Sequence, residues 1–227
     1  MATTPASGRR LLRLFATPVL VEELADAAQL NAELEASILA RMESDSGVQL
    51  SNIGGWQSHH NLTAWAGDAG QRVLKAAAAL ATANTRVIQR GGINWSIDAW
   101  ANVSDGGASN RAHVHGGSFW SAVYYVRVGD GDGGELMLHD PRMPGLRMHA
   151  PNLRFKDGGP EVVAPIKPRA GLLILFPAWL SHSVQPWAGG DSRISIAMNI
   201  RAAAPAAPAA PAVPPARPRK IAKTKPD

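Results

Sequence analysis

The hydrophobic period of the chain changes at Gly91–Gly92, and that change limits the folds open to it. Before the glycine pair the pattern is helical. From about Glu22 to Ser44, residues Leu24, Leu30, Leu34, Ile38, Leu39 and Met42 recur near helical spacing on a charged background. A second helix is predicted from Asp68, an N-cap residue type, through Val73, Leu74, Leu80 and Ala81 to Val87, with the glycines as its stop. After the pair, Ile93 to Trp100 alternates apolar and polar residues, as a half-buried strand does. Strand-like segments follow at 119–128, 135–138, 161–166, 171–176, 181–184 and 192–200. Turn signals separate them, among them Asp130-Gly131-Asp132-Gly133-Gly134 and Trp187-Ala188-Gly189-Gly190. One more strand, Thr17 to Val21, precedes the first helix. Two helices followed by many short strands predict an α+β domain whose core is a β-sandwich or barrel.

Composition removes several function classes. Cysteine is absent, so there is no disulfide framework, no thiolate nucleophile and no thiolate metal ligand. Any metal must be held by His, Asp or Glu. No apolar run reaches the roughly 18 residues of a membrane span. Arg9-Arg10 precede an apolar stretch, but Arg13 interrupts it and Glu22-Glu23 close it early, which predicts an ordinary first strand in a cytoplasmic protein. The net charge of +5 has a local origin: Arg217, Arg219, Lys220, Lys223 and Lys225 against Asp227 give a net +4 in the last stretch alone. A nucleic-acid role would rest on that tail and not on a folded groove. The Ala/Pro alternation from Ala202 to Pro218 cannot continue a helix or close a core. The expected organisation is a flexible N-terminus (1–10), a folded domain (11–201) and a disordered Ala/Pro/Lys-rich tail (202–227). The domain is helical over about 22–90 and strand-rich over about 93–201.

His113-Val114-His115 follows a loop rich in Gly and Ser, and in an extended segment side chains i and i+2 share a face. Two imidazoles can therefore converge on one ion, and His182, between two predicted strands, is the candidate third ligand. Three protein ligands on one face with open positions opposite is the arrangement of non-haem iron oxygenases, although imidazole suits nickel, copper and zinc as well. Arg193-Ile194-Ser195 narrows the choice. A guanidinium and a hydroxyl on one strand face can hold a carboxylate through two parallel hydrogen bonds and a third. The far carboxylate of 2-oxoglutarate needs such an anchor.

These motifs, together with Tyr124-Tyr125, Asp140-Pro141-Arg142 and Phe176-Pro177-Ala178-Trp179-Leu180-Ser181-His182, resemble the 2-oxoglutarate/iron(II) oxygenases. The likeness is to a bacterial group with His-x-His and a distant His, and it spans roughly residues 11 to 200. It implies a double-stranded β-helix, the jelly-roll form of barrel, with the N-terminal helices packed on one sheet. It also implies Fe(II) and 2-oxoglutarate as cofactors and hydroxylation of a small molecule or peptide. The superfamily at large has Asp where this chain has His115, which leaves the site one unit more positive; Asp140 could supply the missing carboxylate if a hairpin brings it near.

The remaining assignments have less behind them. Tyr124, or its neighbour Tyr125, is a candidate co-substrate ligand beside Arg193 and Ser195, although strands favour tyrosine in any case. Trp100, Asn102, Ser118 and Trp120 are candidate substrate-pocket residues, although aromatics of this kind also fill cores. His59-His60 read as loop residues that could lie at the mouth of the site, and His139 and His149 as structural. Two rivals stand: a three-histidine dioxygenase that needs no 2-oxoglutarate, and a non-catalytic metal-binding jelly roll. No membrane partner is expected, and an oligomer is compatible with the sequence.

Overall fold

The computed structural model describes residues 15–88, 92–142, 152–153 and 162–203. The expected flexible N-terminus, Arg9-Arg10, His149 and the tail beyond residue 203 lie outside the described residues. In chain order the elements are β1 (Leu20–Glu23), α1 (Ala27–Ser44), β2 (Asn52–Ile53), β3 (Trp56–Gln57), a 3-10 turn (Leu62–Ala64) and α2 (Gly67–Ala83). There follow β4 (Trp95–Ser104), β5 (Ser109–His113), β6 (Trp120–Arg127), β7 (Leu136–His139), β8 (Val163–Ile166), β9 (Leu172–Pro177), β10 (His182–Val184) and β11 (Arg193–Ala202).

Two antiparallel sheets result, a six-stranded one ordered β1-β9-β6-β11-β4-β3 and a five-stranded one ordered β2-β5-β10-β7-β8. This is the double-stranded β-helix expected from the sequence. Both helices pack on the outer face of the six-stranded sheet. The i, i+4 stripe Leu30, Leu34 and Ile38 of α1 and Val73, Ala77 and Ala81 of α2 join one apolar cluster with Leu173, Leu175, Ile194, Ile196 and Met198. A smaller cluster (Tyr125, Leu136, Leu138, Leu172, Ile174, Phe176, Leu180) fills the space between the sheets. Strands β6, β9 and β11 are thus covered on both faces, and their near-continuous apolar character follows from that.

Several boundaries differ from expectation. The first helix starts at Ala27, because Leu20–Glu23 pairs with β9 and Asp26 turns the chain with a left-handed φ of 56°. The second helix stops at Ala83, where the Asn84 N–H folds back to Ala81 and the Thr85 hydroxyl donates to the same carbonyl. The Gly/Ser-rich stretch before His113 contributes a strand, β5, paired to β2 and β10. At the opposite end of the sequence β11 extends to Ala202, and Ala203 N–H donates to Asn94.

Candidate metal and co-substrate site

His113 ends β5 and His182 begins β10; the two are directly opposed in the five-stranded sheet. His115 lies two residues past β5, held there by its N–H donating to the Ala178 carbonyl. The three rings meet between the sheets, their ligand-type nitrogens all within 4.8 Å of one another. His115 Nε2 and His182 Nε2 are 3.2 Å apart. Two ligands at right angles on one ion, with metal–nitrogen bonds of about 2.1 Å, stand about 3 Å apart, so the spacing fits adjacent positions of one coordination sphere.

Tautomers are fixed by the backbone. His113 Nδ1 lies 2.6 Å from the Arg111 carbonyl and His182 Nδ1 2.9 Å from the Leu180 carbonyl. A carbonyl only accepts, so each Nδ1 carries the proton and each Nε2 is left with a free lone pair. Burial holds His182 neutral, with its pKa lowered to about 3, and pushes His115 down to about 4. All three imidazoles are equipped to ligate. Among the described residues no other group of three or more potential ligands comes together. Asp140 is not part of it: its carboxylate is engaged by Arg142 at 2.7 and 2.9 Å. The candidate donor set is therefore three imidazole nitrogens.

Across the cavity, β11 presents Arg193 and Ser195. Both are buried, 2% and 4% exposed, and both line the cavity with the three histidines. The Arg193 guanidinium has few partners. Its Nη2 donates to Ser104 Oγ at 3.2 Å, its Cζ lies 5.8 Å from the centre of the Tyr125 ring, and its Nε has no hydrogen-bond partner. Burial pulls its pKa below the ordinary arginine value. A buried cation with an unused donor is costly unless an anion joins it. Gly134 makes the room: a Cβ there would lie 3.1 Å from Arg193 Nε, and its φ of +70° suits glycine.

The structure divides the other sequence candidates. Trp100 and Asn102 line the cavity, Asn102 directly opposite Ser195. Tyr124 does not reach it. Its hydroxyl donates to Asn31 of α1 at 2.6 Å, and its ring belongs to the helix-side core. Alternation along β6 places Tyr125 in the cavity instead, opposite Ser195, where burial raises the phenol pKa and keeps its proton available for donation. Trp120 shares the parity of Tyr124 and is core, its indole N–H donating to Thr85. Ser118 lies in a separate surface groove with Phe119 and Trp179. Sequence reasoning left Tyr124 and Tyr125 as alternatives, missed Ser104 as a neighbour of Arg193, and gave His60 no specific partner. His60 stacks on Trp100 with ring centres 4.3 Å apart, and Trp100 in turn lies 6.0 Å from His115. His59 is half-exposed beside Asp45, 3.8 Å away, and His139 bonds Ser183.

The fold and the site define a class: a double-stranded β-helix with a facial three-histidine cluster facing a buried arginine. Residues 98–199, the stretch from β4 to β11 that holds every one of these groups, match the family model described as "Putative 2OG-Fe(II) oxygenase". The matched stretch is the jelly-roll core, and the match agrees with the resemblance read from the motifs. No curated protein matches the chain in sequence. Among solved structures, a prolyl-4-hydroxylase from Pseudomonas putida superposes with a TM-score of 0.60 at 18% identity, covering 83% of this chain and 94% of that one. A prolyl hydroxylase from Trichoplax adhaerens, in complex with a hypoxia inducible factor peptide fragment, gives 0.60 at 16% identity over 81% and 83%. HygX from Streptomyces hygroscopicus, with nickel and 2-oxoglutarate bound, gives 0.52 at 14% identity over 82% and 83%. At these identities the likeness is one of fold. No helix among the described residues is long and apolar enough to cross a membrane.

Proposed function

We propose that the chain is an iron(II)- and 2-oxoglutarate-dependent oxygenase acting on a peptide or a small molecule. The observation that carries this reading is the buried Arg193, its Nε unpartnered, in the same cavity as three histidines whose free nitrogens converge. A metal site alone needs no such cation, whereas a dicarboxylate bound between the two does.

His113, His115 and His182 would hold the ion, with Arg111 and Leu180 carbonyls fixing the ring orientation of the first and third. Arg193 and Ser195 would take the distal carboxylate of 2-oxoglutarate, with the Tyr125 phenol and Ser104 beside them. When bound, the metal and the keto acid supply dioxygen activation, with succinate and carbon dioxide as the co-substrate's products. The protein's own part is orientation and exclusion of water, and the apolar cluster beneath the site (Phe176, Ile174, Leu138) serves the second. Phe176 packs edge-on against the His182 ring with centres 4.8 Å apart, which restrains that ligand. His113, His115 and His182 would bring no negative charge to a divalent ion, so a bound keto acid's carboxylate would be needed to offset it. Iron retention should accordingly depend on 2-oxoglutarate more strongly than in a site with a carboxylate ligand.

The test is an anaerobic titration of iron(II) with and without 2-oxoglutarate. A visible charge-transfer band requiring both supports the reading. Iron binding with no effect of 2-oxoglutarate, and none of Arg193 substitution on turnover, would instead support a three-histidine dioxygenase that lacks the co-substrate.

A further inference from the structure

The cavity side of the six-stranded sheet consists of rows of directly opposed residues, and one row holds polar groups that the site described above does not use. Ser104–Arg193 and Asn102–Ser195–Tyr125 make up the anion end. Next comes an apolar row, Trp100–Ala197–Val123–Ile174. Beyond it stands Asp98–Asn199–Ser121–Phe176. Phe176 is the residue that touches His182, so this row is level with the metal ligands and lies on the side away from Arg193. Six residues separate Arg193 from Asn199, about 20 Å at about 3.3 Å per residue.

Among the described residues, three buried side-chain polar atoms have no hydrogen-bond partner: Arg193 Nε, Ser121 Oγ and Asn199 Oδ1. The first belongs to the anion end. The other two are neighbours across β6 and β11, and Ser121, 2% exposed, lines the cavity. Buried polar groups are nearly always paired, so two adjacent orphans, one of them on the cavity wall and the other beside it, call for a ligand. Their surroundings describe it. Asp98 and Arg201, on the same face, form an ion pair and cancel one another, so the row offers no net charge to an ionic group. Trp100 and His60 form a flat stack on one flank, and the His60 segment is pinned to β4 by the reciprocal Ser58–Ala101 hydrogen bonds. Asn199 Oδ1 needs a donor, and the Ser121 hydroxyl can give its proton to a carbonyl. Strands are about 4.8 Å apart, so one planar group can reach both.

We infer that Ser121 and Asn199 form the pair that binds a carboxamide (–CONH2) group of the primary substrate, one N–H donating to Asn199 Oδ1 and the carbonyl on the same side accepting from Ser121, beside the Trp100–His60 wall. The assignment rests on the oxygenase reading for the word substrate, and it narrows the substrate class to molecules with a free carboxamide, such as asparagine-, glutamine- or C-terminally amidated peptides. The amide site itself is independent of metal.

The experiment follows from that independence. Full-length, metal-free, ¹⁵N-labelled protein is titrated with N-acetyl-trialanine amide while the Asn199 side-chain amide signal is monitored. Saturable shifts of that signal are expected, and Ser121→Ala should weaken binding by about three- to tenfold, the worth of one neutral hydrogen bond. Because Ser121 Oγ has no partner in the protein, the same variant should melt no lower than the parent, whereas a residue with a merely structural role would lower the melting temperature. Asn199→Ala should weaken the peptide and leave 2-oxoglutarate affinity, measured separately on the metal-loaded protein, within about twofold. No saturable shift with the peptide, or shifts with methyl glucoside in its place, would overturn the amide assignment. Peptide binding without 2-oxoglutarate binding would retain the amide site and remove the oxygenase reading; the reverse result would do the opposite.

Discussion

Replacing Arg193 with Met should move two observables in opposite directions. The side chain is 2% exposed, has one hydrogen bond to a serine hydroxyl at 3.2 Å, and leaves Nε without a partner. In the ligand-free protein this is a buried charge poorly compensated, and replacing such a group with an apolar one of similar length is commonly neutral or stabilising by about 1–4 kcal/mol. In the complex the same guanidinium would face a carboxylate at two points in a water-poor cavity, and removing one partner of such a pair costs about 3–5 kcal/mol. That is a loss of roughly 100- to 5,000-fold in 2-oxoglutarate affinity. Urea denaturation of the ligand-free protein reads the first quantity, and calorimetric titration of 2-oxoglutarate into the metal-loaded protein reads the second. A variant destabilised by several kcal/mol would mean that Arg193 is a structural keystone. A 2-oxoglutarate affinity within about threefold of the parent, a difference worth under 1 kcal/mol, would refute the anchor.

The remaining predictions concern the supports of the site. Tyr124→Phe removes a hydroxyl bonded to Asn31 on the helix side and should cost about 0.5–1.5 kcal/mol in urea denaturation, with 2-oxoglutarate affinity unchanged. Tyr125→Phe should do the reverse, weakening 2-oxoglutarate with little effect on stability. Burial keeps His182 and His115 neutral, with pKa values lowered to about 3 and about 4, while in the unfolded chain each titrates near the ordinary 6.5. As pH falls below about 6.5 the unfolded state therefore gains protons that the folded state refuses. Metal-free stability should be fully present above that value and decline toward about pH 3, with His182 contributing up to about 1.4 kcal/mol per pH unit. Denaturation midpoints across pH 4–7.5 check it, and His182→Asn should flatten the slope. Gly133→Ala should destabilise by about 2 kcal/mol or more, since φ there is +84° and a Cβ would sit 2.1 Å from the Pro186 carbonyl oxygen; the thermal melting curve reads the loss.

Much of this was legible in the sequence, for identifiable reasons. Spacing alone put His113 and His115 on one face, and Arg193 and Ser195 on another, because two-residue periodicity is a property of extended backbone and needs no tertiary information. The parity of β6 was not legible. That strand is covered by helices on one side and by the second sheet on the other, so its apolar residues do not alternate, and nothing local distinguishes Tyr124 from Tyr125. Only register does, and it is set by pairing to β11 with an irregularity between Ile194 and Ser195. Trp120 faces the helix-side core and not the histidine cavity for the same cause, and Ser118, in the turn before β6, lines a different groove. Strand β5 reads Ser-Asn-Arg-Ala-His, without β-branched or aromatic residues, so its strand character comes from its neighbours β2 and β10. His60 became interpretable once Trp100 was placed under it. The carboxylate once sought at Asp140 is occupied by Arg142, which leaves the three-histidine reading of the ligand set.

That ligand set is also where the account is most directly tested. Purified protein, made anaerobic and supplied with one equivalent of iron(II), should develop a visible charge-transfer band on addition of 2-oxoglutarate. The band should be absent from His182→Ala at any concentration, and should appear in Arg193→Met only at far higher 2-oxoglutarate. A parent protein that binds iron(II) yet shows no band with saturating 2-oxoglutarate, or a His182→Ala protein that keeps it, would contradict the assignment of these residues as one site.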